Sequence, residues 1–352
     1  MNRRTPKILI IRCGLLGDTV DATVIVKPLI NYYGEDLKID WLTKPNLHNL
    51  FTFDSRISPL FIRFTKLPLL FNIDKLKVIL NSYRSPYDAV INLEVGAKFD
   101  SLVRLIKSDI KIGRPYKYVD IQYKDEHRIE HQLRILKSHF TDLKTNSLYP
   151  YLNGSDTDVK RKYNIHNNYV VLCPTNSHVE KKSYRSYRSW PINNWKILIT
   201  KILRKTNFDI VVTGTNDEIN FIEQLDLYNK RIHNLTGRTS IPDLVNIMKF
   251  SECAIATDSG SVHVAGVKAK KVIALHGPTS FKETGPYGNG GNLVLEANIN
   301  LPCSPCYNTD VIKMCKSNKC MTNLTPDIVF NFIIQNGLTQ KNNNVLKFKK
   351  II

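Results

Sequence analysis

The chain has 352 residues, 42% of them hydrophobic and 23% charged. That composition excludes a disordered polymer and gives room for about two domains with cores of their own. Fifty Lys and Arg against 31 Asp and Glu leave a formal net charge of +19, which suits an anionic partner: nucleic acid, phospholipid headgroups or a phosphorylated substrate. No apolar run approaches the ~18 residues that span a bilayer. Residues 1–7 lead straight into a strand with no signal-type apolar region, so a cytoplasmic protein is expected.

Residues 7–12 (KILIIR) read as a strand and 13–18 (CGLLGD) as the turn after it. Gly14 and Gly17 permit φ > 0, and Asp18 suits a helix start as its N-cap. The helix that follows carries Pro28, which is expected to bend or end it. Strands at 37–42, 87–93 and 110–113 alternate with helices, the clearest at 98–107, which predicts βαβ units and a parallel sheet. Between 56 and 71 the run RISPLFIRFTKLPLLF interleaves large apolar residues with Arg56, Arg63 and Lys66. Its two prolines argue against a long helix; it reads as a loop that rests on an anionic membrane or packs on its own domain. His127, Glu130 and His131 have the H-x-x-E-H form of a zinc motif. They fall in an amphipathic, basic pattern without a third ligand, and are read as a solvated helix face.

Residues 146–158 are polar, lack periodicity and read as a linker. Alternation resumes with strand 169–173, helix 193–205, strand 208–213, a helix near 217–227, a helix from Pro242, strand 253–257 and strand 293–295. Thr325-Pro326 opens a last helix, 327–335, before a Lys- and Asn-rich tail at 338–352 that is expected to fray. Cys13, Cys173 and Cys253 lie in or beside apolar strands and read as packing thiols. The P-loop, G-x-G-x-x-G and G-x-S-x-G signatures are absent from the sequence.

The stretch 254–288 concentrates the chemistry. A buried strand runs to Asp258, turns through Ser259 and Gly260 into a helix with His263, and is followed by a second apolar strand and the turn Gly277-Pro278-Thr279. A helix start at a strand's carboxyl end suits a phosphate or diphosphate. Thr175 and Asn176 follow the strand at 169–173, with the basic run 181–190 (KKSYRSYRSW) beyond them. Asp217 and Glu218, after Gly214, are placed to accept ribose hydroxyls. Together these fit a nucleoside diphosphate.

The Gly17-Asp18 turn, Arg188-Ser189-Trp190-Pro191 with Trp195, Leu235-Thr236-Gly237-Arg238-Thr239, Asp258-Ser259-Gly260-x-x-His263-x-Ala265, Gly277-Pro278-Thr279 and Gly285-Pro286 occur in this order. Together they resemble family 9 glycosyltransferases, the heptosyltransferase-like enzymes of lipopolysaccharide core synthesis, from Lys7 to about Val329. The resemblance implies an α/β fold of GT-B architecture, two Rossmann-like domains with parallel sheets facing across a cleft. Residues 1–150 would bind the acceptor and 160–335 a nucleotide-sugar donor, an ADP-linked heptose. It further implies inversion without a metal or other cofactor, with Asp18 as the general base. Backbone N–H groups at Ser259, Gly260 and Ser261, the Thr175 hydroxyl and Arg188 would stabilise the leaving diphosphate. Asp258 would hold sugar hydroxyls, with Asn176, Pro278 and Thr279 beside the donor; His263 orients the helix turn, contacts phosphate or packs structurally. Arg188 stands where the family usually has Lys, and Asn92-Leu93-Glu94-Val95 replaces the family's Asp-Leu-Gln-Gly. Arg63, Lys66 and Lys98 are assigned to an anionic, lipid-linked glycan acceptor. Cys303, Cys306, Cys315 and Cys320 match a four-thiolate zinc site by count, or form reduced thiols in a compact loop.

The expected protein is a monomeric sugar transferase with peripheral membrane contact and no nucleic acid. Two alternatives stand beside it: another nucleotide sugar used for capsule or surface glycan, and a basic nucleic-acid-binding protein using 181–190.

Overall fold

The computed structural model describes residues 4–63, 71–116, 126–143, 148–176, 187–307 and 309–335. The first sheet comprises β1 (Lys7–Ile11), β2 (Lys38–Thr43), β3 (Ile57–Phe61), β4 (Tyr87–Asn92) and β5 (Ser108–Gly113), in the order β3-β2-β1-β4-β5 with every pair parallel. The second comprises β6 (Tyr169–Cys173), β7 (Asp209–Val212), β8 (Ile232–Asn234), β9 (Cys253–Thr257), β10 (Lys271–Leu275) and β11 (Leu293–Ala297), in the order β11-β10-β9-β6-β7-β8, again all parallel. The strands form because their apolar runs are covered on both faces: Ile8, Leu9, Ile10 and Ile11 are all fully buried. In each sheet the strand order reverses beside the first strand, between β1 and β4 and between β6 and β9, where an open parallel sheet leaves a crevice at its carboxyl edge.

Residues 57–61, expected within a loop, are instead the edge strand β3, with Ile57 opposite Ile39. Pro59 is tolerated there because an edge strand has one side free of ladder bonds. The helix after β1 runs from Leu16 to Ala22, tightens over Thr23–Ile25 and resumes as Val26–Tyr33. The break precedes Pro28, which has no N–H to give the Val24 carbonyl.

One face of the first sheet packs Leu9, Ile11 and Val90 against Val78 and Ile79 of the helix Ile73–Arg84 and Leu102 and Val103 of the helix Asp100–Leu105. The other face belongs to a core that continues without a break into the second half: Ile8, Ile10, Val20 and Leu29 join Val171, Ala256, Val262 and Ala265. The join is made by the helices Leu16–Ala22 and Gly260–Lys268. Gly14 and Gly17 have ordinary φ values, so their use differs from the expected one; positive φ falls at Gly34, Gly113, Gly237 and Gly290. A Cβ on Gly17 would lie 2.6 Å from His263 Cδ2, and one on Gly260 would lie 2.8 Å from Leu16 Cβ. Glycine is therefore needed for close helix approach.

The described part of the linker is irregular but tied to both halves. The Tyr151 N–H donates to Thr23 Oγ1 at 2.7 Å, and Ser155 Oγ donates to Asp243 at 2.7 Å. Trp190 and Trp195 meet edge to face at 4.9 Å, and Trp190 Nε1 donates to the Leu324 carbonyl at 2.7 Å, seating the last helix, Pro326–Gln335.

Candidate active site

Because Gly17 follows β1 and His263 follows β9, their close approach shows that the carboxyl edges of the two sheets face one another. On the first side, Arg12 directly follows β1. Its Nη1 donates to the Leu93 carbonyl at 3.0 Å and its Nη2 to Asp18 Oδ1 at 3.2 Å. Asp18 is at the third position of its helix: Leu15 is the N-cap, and the Asp18 carboxylate accepts its N–H at 3.0 Å. The expected N-cap position is thus displaced by three residues while the capping carboxylate remains. Arg128, from the helix Arg128–Lys137, bonds the same Oδ1. Burial pushes the Asp18 pKa up, but Arg12, Arg128 and the Leu15 N–H outweigh it and hold the carboxyl below its ordinary value.

One turn later, Asp21 is almost fully buried. It faces His263 Nδ1 at 2.9 Å and Arg128 Nε at 3.2 Å. Here too burial raises the carboxyl pKa and is outweighed, by His263 and Arg128. Arg128 thus bridges Asp18 and Asp21, and Asp21 bridges the two halves of the molecule.

On the second side, Asp258 is buried directly after β9, with Arg188 Nη1 3.3 Å away. Burial works against its charge, yet His276, Arg188, His263 and Thr279 leave its pKa lowered. The Arg188 guanidinium lies 5.4 Å from the Tyr307 ring centre, a cation–π arrangement that fixes its plane. His276 follows β10; burial lowers its pKa, and its Nδ1 lies 3.2 Å from Thr279 Oγ1. Ser259 caps the helix Gly260–Lys268, whose first N–H groups, with that of Ser261 among them, point out at this edge. Among the described residues, Ser259 Oγ, Thr236 Oγ1 and His276 Nε2 are buried without a hydrogen-bond partner. Orphaned polar atoms at three strand ends fit a polar ligand.

Thr175 and Asn176 are buried after β6. The Thr175 carbonyl accepts from Thr257 Oγ1 at 3.0 Å, and Asn176 Nδ2 donates to Ser189 Oγ at 2.9 Å. A Cβ on Gly214 would lie 3.7 Å from Thr175 Oγ1, so the turn after β7 adjoins this edge. Asp217 and Glu218 are on that turn, where Glu218 Oε2 already accepts the Thr215 N–H at 2.7 Å. Pro278 borders the four cysteines: its carbonyl accepts the Cys306 and Tyr307 N–H groups, both at 2.8 Å.

The acceptor residues divide. Arg63 is exposed past the end of β3 and pairs with Asp74 at 3.3 Å. Lys98 lies after β4, its carbonyl accepting Lys75 Nζ at 3.1 Å, and Lys44, Arg12 and Lys98 all act on Cys13. Glu94 Oε1 accepts the Cys13 N–H at 2.6 Å. A cationic rim of Lys44, Lys75 and Lys98 therefore borders Asp18's side, whereas Lys66 lies outside the described residues.

Three other expectations change. His127 and His131 are not a solvated face: His127 caps its helix and places Nε2 3.0 Å from the Gly285 carbonyl, and His131 is buried. Cys303, Cys306, Cys315 and Cys320 line one cavity of ≈ 390 Å³ beside Pro278. Burial, then the neighbouring thiols, pushes Cys320 up to about 11; among the described residues, no group of three or more His, Cys, Asp or Glu is placed to hold a metal. Of the run 181–190, only residues 187–190 are described; there Trp190 is buried and Arg188 faces Asp258, which removes both from a nucleic-acid surface.

Sequence reasoning missed Arg12, Asp21, Arg128, His276 and Lys75 as site residues. Asp21 carried a signal: a carboxylate one turn after Asp18 in the otherwise apolar GDTVDATVIV must find a buried partner.

Two doubly wound domains that meet at their carboxyl edges, a carboxylate on one and an open helix start on the other, define a GT-B glycosyltransferase. The chain belongs to glycosyltransferase family 9 (heptosyltransferase), whose sequence model matches residues 79–315. It is 27% identical over 276 residues to lipooligosaccharide heptosyltransferase 2 of Campylobacter jejuni subsp. jejuni serotype O:2, covering 72% of this chain and 80% of that protein. Its fold is similar to the family 9 glycosyltransferase of Veillonella parvula, with TM-score 0.75 and 18% identity over 95% of this chain and 98% of that one. It is also similar to the E. coli ADP-heptose lps heptosyltransferase II, with TM-score 0.71 and 16% identity over 94% and 99%.

Proposed function

We propose that the protein transfers heptose from ADP-heptose to an anionic, lipid-linked saccharide of the lipopolysaccharide core, with inversion and without a metal. The observation that carries this reading is the meeting of Asp18 with the start of the helix Gly260–Lys268 across one cleft, joined by the Asp21–His263 pair. The donor's diphosphate lies against the N–H groups of Gly260 and Ser261, the Ser259 and Thr175 hydroxyls and Arg188. As the anomeric C–O bond breaks, negative charge grows on the leaving phosphate oxygen, and these preorganised donors stabilise it without rearranging. Asp258 and Thr279 face the sugar hydroxyls, and Asp217 and Glu218 the ribose. An acceptor hydroxyl attacks from the opposite face, and Asp18 takes its proton.

Arg12 and Arg128 keep Asp18 ionised and aimed, at the cost of basicity. An acceptor phosphate entering the rim of Lys44, Lys75 and Lys98 competes for Arg128 and restores it. Relatives named as heptosyltransferases support the choice of sugar and the ADP-heptose in one neighbour's name supports the nucleotide. A thermal-shift panel tests the donor site, since a ligand that binds only the folded state raises stability by about 2.7 kcal/mol at a hundredfold excess over Kd. ADP is expected to raise Tm more than UDP or GDP. A flat panel overturns the assignment.

A further inference from the structure

The helices covering the outer face of the first sheet carry large apolar side chains where a solvated layer is ordinarily polar. In the helix Ile73–Arg84, Val78, Ile79 and Ser82 are buried toward the sheet. Ile73, Lys77, Leu80 and Arg84 recur every three or four residues and are exposed, Ile73 by 64% and Leu80 by 61%. Phe71, just before the helix, is 67% exposed; Tyr83 on the same helix and Leu105 on the adjoining one extend the apolar surface.

The exposed charges on these two helices are basic. Lys77, Arg84 and Arg104 are exposed, whereas Asp74 and Asp100 are partly covered and pair with Arg63 and Arg114. The face also has a defined orientation. It lies opposite the core that joins the two halves, so covering it leaves the cleft open. Its helix begins at the cleft rim, where Lys75 Nζ reaches the Lys98 carbonyl.

We propose that this face docks on an anionic bilayer, with Phe71, Ile73 and Leu80 entering the headgroup boundary and Lys77 and Arg84 pairing with lipid phosphates. Apolar anchors interleaved with cations fit that surface better than they fit nucleic acid, which offers no apolar layer to enter. Docking in this orientation brings Lys75 and Lys98 to the bilayer surface. The inference rests on the proposed function only in explaining why a membrane is met: the acceptor is lipid-linked.

Cosedimentation of the full chain with phosphatidylglycerol-rich and with pure phosphatidylcholine vesicles tests it, using wild type, Ile73→Ser/Leu80→Ser and Lys77→Glu/Arg84→Glu. Wild type is expected to sediment with the anionic vesicles alone, and each double variant to bind about tenfold less, with the ADP thermal shift unchanged in all three. Absence of wild-type binding overturns the proposal. So does unchanged binding by the serine variant, which leaves only electrostatic adsorption, or a wild-type dimer that the serine variant dissociates, which assigns the face to a second copy. Vesicle binding without an ADP shift overturns the donor assignment and leaves the docking face standing.

Discussion

Asp21 connects parts of the site that the chain order separates. Its partner His263 is 242 residues away in sequence, and its other partner, Arg128, also holds Asp18. Removing the carboxylate leaves Arg128 and His263 facing each other across the domain contact. Asp21→Ala is therefore expected to keep the ADP thermal shift, lower transfer at least about tenfold and increase the radius of gyration by small-angle scattering; unchanged size and rate would assign Asp21 no positioning role. Asp18 makes a separate prediction about pH. Its pKa is lowered in the folded protein, so it is ionised above the ordinary Asp value of about 3.9. An acid limb of kcat/KM near pH 5–6 that disappears in Asp18→Asn would contradict this, because the limb assigned to Asp18 belongs below about pH 4. Asp18 stood out in the sequence from the turn around it, and its proposed role as the base comes from the family resemblance. Asp21 was legible only as a buried charge in need of a partner, since no local pattern specifies a contact across two domains.

At the scale of elements, the contact between Leu16–Ala22 and Gly260–Lys268 sets the geometry of the cleft. Alanine at Gly17 would favour an isolated helix by roughly 1 kcal/mol. Its Cβ would instead meet the His263 ring at 2.6 Å, an overpacked contact of the kind that costs about 1–3 kcal/mol. Gly17→Ala is expected to lower the urea midpoint and to slow transfer; a more stable variant would show that the helices can separate freely. The strands most legible in the sequence were those buried on both faces, such as β1, β6 and β9, because their apolar runs are continuous. β3 and β8 escaped notice for a common reason: each is a short edge strand, and β3 contains Pro59. The helix start at Ser259 was legible from the strand-turn-helix pattern, whereas the burial of His127 depends on the neighbouring domain, where it meets the Gly285 carbonyl.

For the whole molecule, buried imidazoles predict how stability responds to acid. Burial lowers the pKa values of His127, His131 and His276 in the folded state. Their neutral forms are compatible with the fold above the unfolded value of about 6.5, and stability is lost as pH falls through the lowered folded values. Asp18, Asp21 and Asp258 have the same sign at lower pH, with stability lost on falling below about 3.9. Tm is expected to be level from about pH 8 to 7, to fall below about 6.5 and to fall again below about 4. A rise in Tm between pH 7 and 5 would contradict this. The net charge of +19 was legible as a need for anionic partners, but the placing of Lys75 beside the Lys98 carbonyl and of Lys77 and Arg84 on the outer side of one helix required the fold. The central claim is that Asp18 takes the acceptor's proton while the facing domain holds ADP-heptose. Its most direct test is heptose transfer to core glycolipid from a heptose-deficient bacterium, followed by mass spectrometry for wild type and Asp18→Asn. Product from wild type, a loss of about 10²–10⁴-fold in the variant and an equal ADP thermal shift in both are predicted; an Asp18→Asn enzyme that turns over at the wild-type rate would contradict the account.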